Sequence, residues 1–333
     1  MNDRAVSLFE KYGITPEKIR KGRGSLIVQT QEGQFLLTEY SGPAQQLQME
    51  YELLQALSDC YDRPLDRIYK TQEDDAFYCT DYEGKKYILK DFVEGREMAV
   101  CDPLDIRRAA DGIARLHLAL RKVTFPAKEA LCRQPDHLMG DFERRCAELL
   151  RARNYMRKLP RKDDFELSFL KNYDIFWEQT LVAMRFLDED CIQSLGQKQI
   201  REQMLIHGDC NQHNILICED GVAIVNFERA SAHLQVKDLY LFMRKILEKN
   251  DWSIPVGQNI LSAYQAVLPL TQEEKMYLHA RFLYPEKFWK VANGYLNRRK
   301  ALPARRQQEK LLAALEKEEK RQQFLKRWSE ICV

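Results

Sequence analysis

The stretch that decides the fold is LIHGDCNQHNILICEDGVAIVNFERA, residues 205–230. An apolar run ends in His207-Gly208-Asp209, and Asn214 follows five residues after the aspartate. Next come an Ile-Leu-Ile strand, a Glu-Asp-Gly turn and a second strand that closes on Asn226-Phe227-Glu228. A loop that presents an acid and an amide at fixed spacing, backed by a short hairpin, is an arrangement for holding charge in place.

Working outward, the N-terminal part alternates helix and hairpin. Residues 3–13 read as a short amphipathic helix carrying Val6, Leu8, Phe9 and Tyr12, closed by Gly13. Residues 25–40 switch to a strand pattern, SLIVQT-QEG-QFLLTEY, a hairpin turning at Gln31-Glu32-Gly33. Residues 43–58 return to helical spacing with Leu47, Tyr51, Leu54 and Leu57 on one stripe. Two further strands, 76–82 and 86–93, are joined at Glu83-Gly84. Past residue 95 the apolar spacing is mostly helical, over 106–120, 143–156, 165–186 and 236–249. The expectation is an α+β, two-lobed chain: an antiparallel-sheet lobe over 1–95 and a helical lobe over 96–333, with the boundary at Gly95. The stretch from Leu311 to Trp328 reads as one charged helix. Between Arg298 and Arg327 eleven Lys/Arg face four Glu, either a solvated helix or a basic surface for an acidic partner.

Composition narrows the class. The 333 residues are 45% hydrophobic and 31% charged, ordinary for a globular protein with a sizeable core. A net charge of +2 gives no field that favours nucleic acid or an anionic membrane. The nine cysteines are scattered without a C-x-x-C pair, which argues against a zinc site or disulfide framework and for a reducing compartment. The acidic N-terminus lacks the apolar core of a secretory signal, and no stretch reaches the roughly 20 apolar residues that span a bilayer. Synthesis in the cytoplasm is the expectation.

The motif of residues 205–230 is similar to that of phosphotransferases of the protein-kinase and aminoglycoside-kinase type. More specifically, the chain resembles the CotS-type spore-coat-associated proteins, a branch of the aminoglycoside-phosphotransferase and choline-kinase-like superfamily. The carrying segments are GSLIVQTQEGQFLL, LKDFVEGRE, ARLHLA, HGDCNQHNILI, VKDLYLFMRKILEKNDW and RFLYPEKFWKVANGYLNRRKA. Together they span nearly the whole chain. The resemblance implies a kinase-like fold and association with the coat of a developing spore, with coat or morphogenetic proteins as partners. It does not by itself imply catalysis.

It also assigns candidate roles. Asp209 takes the general-base position and Asn214 that of a metal ligand, while His207 orients the loop. Asp238, at the start of a helix, braces it. A metal-bridging aspartate belongs at Asn226, where an amide offers one neutral oxygen. Losing a unit charge at ~4 Å costs about 4 kcal/mol at an effective dielectric of 20, on the order of a thousandfold in rate. Glu228 would face the same side as Asn226 if the backbone stays extended, and so is a candidate replacement metal ligand.

In the family a lysine on the second strand of the first hairpin meets a helix glutamate. Here that position is Thr38, and Glu50 or Glu52 would have no strand lysine to meet. Lys86 and Lys90, on the next hairpin, would have to reach across the sheet. Gly22 and Gly24, in KGRGS, fall where a phosphate-covering loop belongs; a surface turn is the more economical account, with contact between Arg23 and a phosphate as the alternative. The implied cofactors are ATP and magnesium, with binding weakened or lost by the changes at 38 and 226. Three readings follow: a pseudokinase-like coat component, an active phosphotransferase on a small hydroxylated substrate with a rearranged site, and a nucleotide-binding regulator without turnover.

Overall fold

The computed structural model describes residues 3–22, 24–134, 137–297 and 304–332. Backbone contacts divide the chain into two compact units, residues 1–133 with 203–232, and residues 134–202 with 233–333.

Among the described residues, all the strands lie in the first unit. Helix α1 (Asp3–Glu10) precedes β1 (Lys18–Lys21), β2 (Ser25–Gln29) and β3 (Gln34–Tyr40). Then follow α2 (Ala44–Ser58), β4 (Ile68–Tyr69), β5 (Cys79–Thr80), β6 (Lys86–Asp91) and β7 (Arg96–Glu97). Helices α3 (Pro103–Lys122) and α4 (Lys128–Cys132) come next. The returning segment adds β8 (Leu205–Ile206), β9 (Ile215–Cys218), β10 (Gly221–Ile224) and β11 (Ser231–Ala232).

The main sheet is antiparallel in the order β1-β2-β3-β6-β4, with β5 beside β6. The β2–β3 turn forms as its sequence dictates: the Thr30 hydroxyl accepts from the amides of Glu32 and Gly33 and donates to the Gly33 carbonyl. One sheet face packs Val28, Phe35, Leu37 and Leu89 against Leu8, Phe9 and Tyr12 from the α1 segment. Strand β6 lies beside β3 with Thr38 opposite Ile88 and Leu36 opposite Lys90. A three-stranded sheet, β10-β9-β7, brings the returning hairpin onto the chain just past Gly95.

The second unit is helical: α5 (Gly140–Lys158), α6 (Asp164–Arg185), α7 (Glu189–Arg201), α8 (Val236–Lys249), α9 (Ile254–Val267), α10 (Gln272–Leu283), α11 (Glu286–Leu296), α12 (Ala304–Glu316) and α13 (Glu318–Cys332). Capping boxes at Asp163/Glu166 and Thr271/Glu274 start α6 and α10. Its core is aromatic, with Phe288 stacked between Phe169 and Phe176 at 4.8 and 4.0 Å. Trp328 of α13 stacks on Phe324 at 5.2 Å. The single helix expected over 311–328 is therefore two, broken at Lys317. Leu311, Phe324, Leu325 and Trp328 are buried, whereas Leu312 stays 50% exposed. Two apolar stripes on different faces need a change of direction, which one straight helix cannot give.

No helix among the described residues is long and apolar enough to cross a membrane. None of the described cysteines is in a disulfide.

Candidate functional site

The first unit holds all but one of the site residues read from the sequence. Gly208 adopts φ 82°, and a Cβ there would run into the carbonyl oxygen of Arg229, so the loop turns at a point only glycine allows. His207 is fully buried. Its Nε2 lies 3.0 Å from the Val225 carbonyl and its Nδ1 accepts the Asp209 amide at 3.2 Å. That pairing fixes the tautomer with the proton on Nε2. The ring is thus a clamp between the Asp209 loop and the end of β10, and Phe227 meets it edge-on at 4.8 Å.

Asn214 donates from Nδ2 to the Asp209 carbonyl at 3.0 Å and sits 3.4 Å from a carboxylate oxygen of the same residue. Its Oδ1 accepts from Nδ2 of Asn226 at 2.9 Å. The Asn226 backbone is left-handed, φ 68° and ψ 68°, which asparagine tolerates better than most residues. Its amide N–H donates to Asp66 Oδ2 at 2.9 Å. The same oxygen accepts from Lys90 Nζ at 3.2 Å, and Lys90 donates to Glu50 Oε1 at 2.7 Å. One continuous chain therefore runs Glu50–Lys90–Asp66–Asn226–Asn214–Asp209, drawn from α2, β6, the α2–β4 loop, the end of β10 and the β8–β9 loop.

This arrangement corrects the expectation that Glu50 has no lysine to meet. Lys90 meets it, and does not reach across the sheet to do so. Cross-strand pairing puts Lys90 opposite Leu36, on the same face as Thr38 and one diagonal step away. Lys90 is 3% exposed and Glu50 fully buried. Burial works against the Lys90 ammonium, but Asp66 and Glu50 outweigh it and hold its pKa above the ordinary value. Burial also raises the Glu50 pKa, which Lys90 offsets only in part. The ammonium is thus spent on two carboxylates, and one oxygen of each, Glu50 Oε2 and Asp66 Oδ1, is buried without a hydrogen bond. Thr38 is half-buried between Ser25 and Ile88.

Asp66 was invisible to sequence reasoning. It sits in an irregular loop with no motif around it, and only the fold brings it to Asn226. A faint signal was available in LDR, a lone acid between buried apolar positions Leu65 and Ile68.

The premise for Glu228 fails. The left-handed turn at Asn226 ends the extended backbone and residues 227–229 form a 3-10 turn, so alternation of faces no longer applies. Glu228 is exposed, its carbonyl accepts from Gln46, and its negative charge is felt at Tyr40 and Glu50. Gly24 (φ 73°) and Gly22 make the tight β1–β2 turn, and the Gly22 amide donates to the Ser25 carbonyl at 2.8 Å. Neither glycine takes part in the hydrogen-bond chain, and Arg23 lies outside the described residues. Asp238 is in the second unit, buried in the first turn of α8. Among the described residues no group of three or more His, Cys, Asp or Glu is placed to hold a metal ion.

The donor set does not fit a resident magnesium ion of the kinase type. Two acceptor oxygens facing each other at 214 and 226 would call for a cation between them. Here the Asn226 amide supplies a proton instead, and the pair is satisfied by itself.

The fold matches that of solved small-molecule kinases. An aminoglycoside phosphotransferase from Alicyclobacillus acidocaldarius is similar at TM-score 0.84 and 18% identity, over 98% of this chain and 95% of that one. A spectinomycin phosphotransferase, solved with ADP and spectinomycin, gives TM-score 0.64 and 12% identity over 95% of this chain and 98% of that one. An ethanolamine kinase from Plasmodium vivax gives 0.53 and 13% identity over 94% and 87%. At these identities the likeness shows the protein-kinase-like fold alone. The family model described as "Spore coat putative kinase YutH" matches residues 5–328, almost the whole chain. The chain belongs to that spore-coat family of kinase fold.

Proposed function

We propose that this protein is a catalytically impaired, pseudokinase-like member of the spore-coat family, acting as a structural or interaction component in assembly of the endospore coat. It is made in the cytoplasm of the mother cell and then joins the coat, with coat or morphogenetic proteins as partners. ATP and magnesium bind weakly or not at all. The small lobe runs over residues 1–95, a finer cut than the compact unit of 1–133 with 203–232, and the Asp209 loop belongs to the lobe of residues 96–333.

The observation that carries this reading is the closed chain of hydrogen bonds from Asn226 through Asn214 to Asp209. Phosphoryl transfer depends on charge held around a triphosphate. Here the amides bond to one another, and the Lys90 ammonium is buried between two carboxylates.

The test is a phosphotransfer assay on the full chain with Mg-ATP and Mn-ATP against a panel of hydroxylated acceptors, alongside thermal shift. The expected result is no turnover above background. Robust magnesium-dependent turnover that Asp209→Ala abolishes overturns the proposal. The Lys90–Glu50 ion pair favours one other reading, a nucleotide-binding regulator without turnover. Saturable nucleotide binding that alters affinity for a coat protein would distinguish it.

A further inference from the structure

The helical unit contains a cavity of about 290 Å³ that the reading above does not use. It lies between the C-terminal half of α8, the α10–α11 junction, the α12–α13 junction and Phe176 of α6. Its walls are aromatic: Phe176, Tyr240, Trp252, Phe282 and Phe288, all buried. Flat rings on several sides favour a flat occupant, and the volume is at the small end of the range for ligand sites.

The polar groups specify the charge of that occupant. Among the lining side chains, cations outnumber carboxylates five to three. Arg244, 4% exposed, donates from Nη1 to Glu248 at 2.5 Å, while its Nε is buried with no hydrogen-bond partner. The hydroxyls of Tyr240 and Tyr284 are buried without partners as well. Glu286 does not cancel the excess, because its carboxylate is already engaged by Arg145 and Lys290. Burial would raise the Glu286 pKa, yet Arg145, Arg281, Arg244 and Lys290 hold it below the usual range. The lining side chains sum to +2, with Arg321 paired to Glu318 and Lys317 to Asp251, so the group left to favour an anion is Arg244. A guanidinium with an unused N–H beside an apolar slot is suited to a carboxylate carried on a planar body.

We propose that this cavity binds a small aromatic carboxylate, its ring system between the aromatic walls and its anion on Arg244. The site differs from the Asp209 centre in residues and chemistry, and its occupancy does not depend on phosphoryl transfer. Ala313, exposed, lies at its mouth and gives a variant that plugs the cavity without disturbing the core.

The experiment is isothermal titration of the full chain with 2-naphthoate and, separately, with the neutral 2-naphthalenemethanol. The expected result is saturable 1:1 binding of the acid, at least tenfold tighter than the alcohol. Ala313→Trp weakens both by at least tenfold. Arg244→Met removes the preference for the acid but leaves alcohol binding in place. Absence of saturable binding, equal affinities for acid and alcohol, or unchanged affinity in Ala313→Trp overturns the proposal. The acid-to-alcohol ratio in the unmodified protein decides the matter even if Arg244→Met does not fold.

Discussion

At the scale of single residues, Asn226 differs from an aspartate by one nitrogen, and that nitrogen is the donor to Asn214. Aspartate would accept the same left-handed backbone, so exchanging the two probes the amide bond rather than the turn. Asn226→Asp is expected to cost about 1–3 kcal/mol without divalent ions, because two acceptors then face each other. Magnesium or manganese should raise the melting temperature of this variant and leave that of the unmodified protein unchanged. Differential scanning fluorimetry with and without chelator checks both halves.

His279 allows a second prediction at this scale. Burial lowers its pKa from 6.5 to about 4, and it packs 4.7 Å from Phe186. A histidine kept neutral by the fold contributes stability fully above the unfolded value of 6.5, which is lost as pH falls toward 4. The loss is on the order of 3 kcal/mol at full extent. His279→Leu should flatten the stability profile over that window in urea denaturation series.

Elements show where sequence reading succeeds and where it stops. The hairpin of residues 25–40 and the helix that follows were legible because their signals are local: a turn at Gly33, alternation, then a four-residue stripe. The pairing of β3 with β6 is not local, and no residue in QFLLTEY or KYILKD announces it. Lys90 therefore read as remote from Thr38 when it is a diagonal neighbour. The two-residue strand at Ile68 and the polar strand KIRK were also missed, being too short or too charged to show a period. The turn of the 207–214 loop, by contrast, was legible in HGD-x4-N, since Gly208 alone fits it. Gly208→Ala should destabilise by about 3 kcal/mol or more, through both the positive φ and the clash with the Arg229 carbonyl. Chemical denaturation monitored by tryptophan fluorescence tests this, and an undiminished midpoint would refute the strained-turn account.

For the molecule as a whole, the division into units cuts across the order of the chain. Residues 203–232 belong to the first unit although the helices of 134–202 intervene. Among the described residues strand β7 pairs with β9 alone, and Gly112 of α3 packs so closely on Val222 of β10 that a Cβ would stand 2.9 Å from it. A fragment of residues 1–133 is thus expected to lack cooperative unfolding and to be digested rapidly by trypsin. A sharp thermal transition in that fragment, followed by circular dichroism, would show the returning segment to be dispensable.

The same topology bears on biosynthesis. As the polypeptide leaves the ribosome, the N-terminal sheet can assemble early, but Arg96 stays without its opposite number until Ile217 has been translated. Closing so long a loop carries an entropic cost before any contact repays it. The nascent chain must therefore spend much of its synthesis with α3 uncovered, a stage at which chaperone engagement would matter more than for a protein whose units follow one another in sequence.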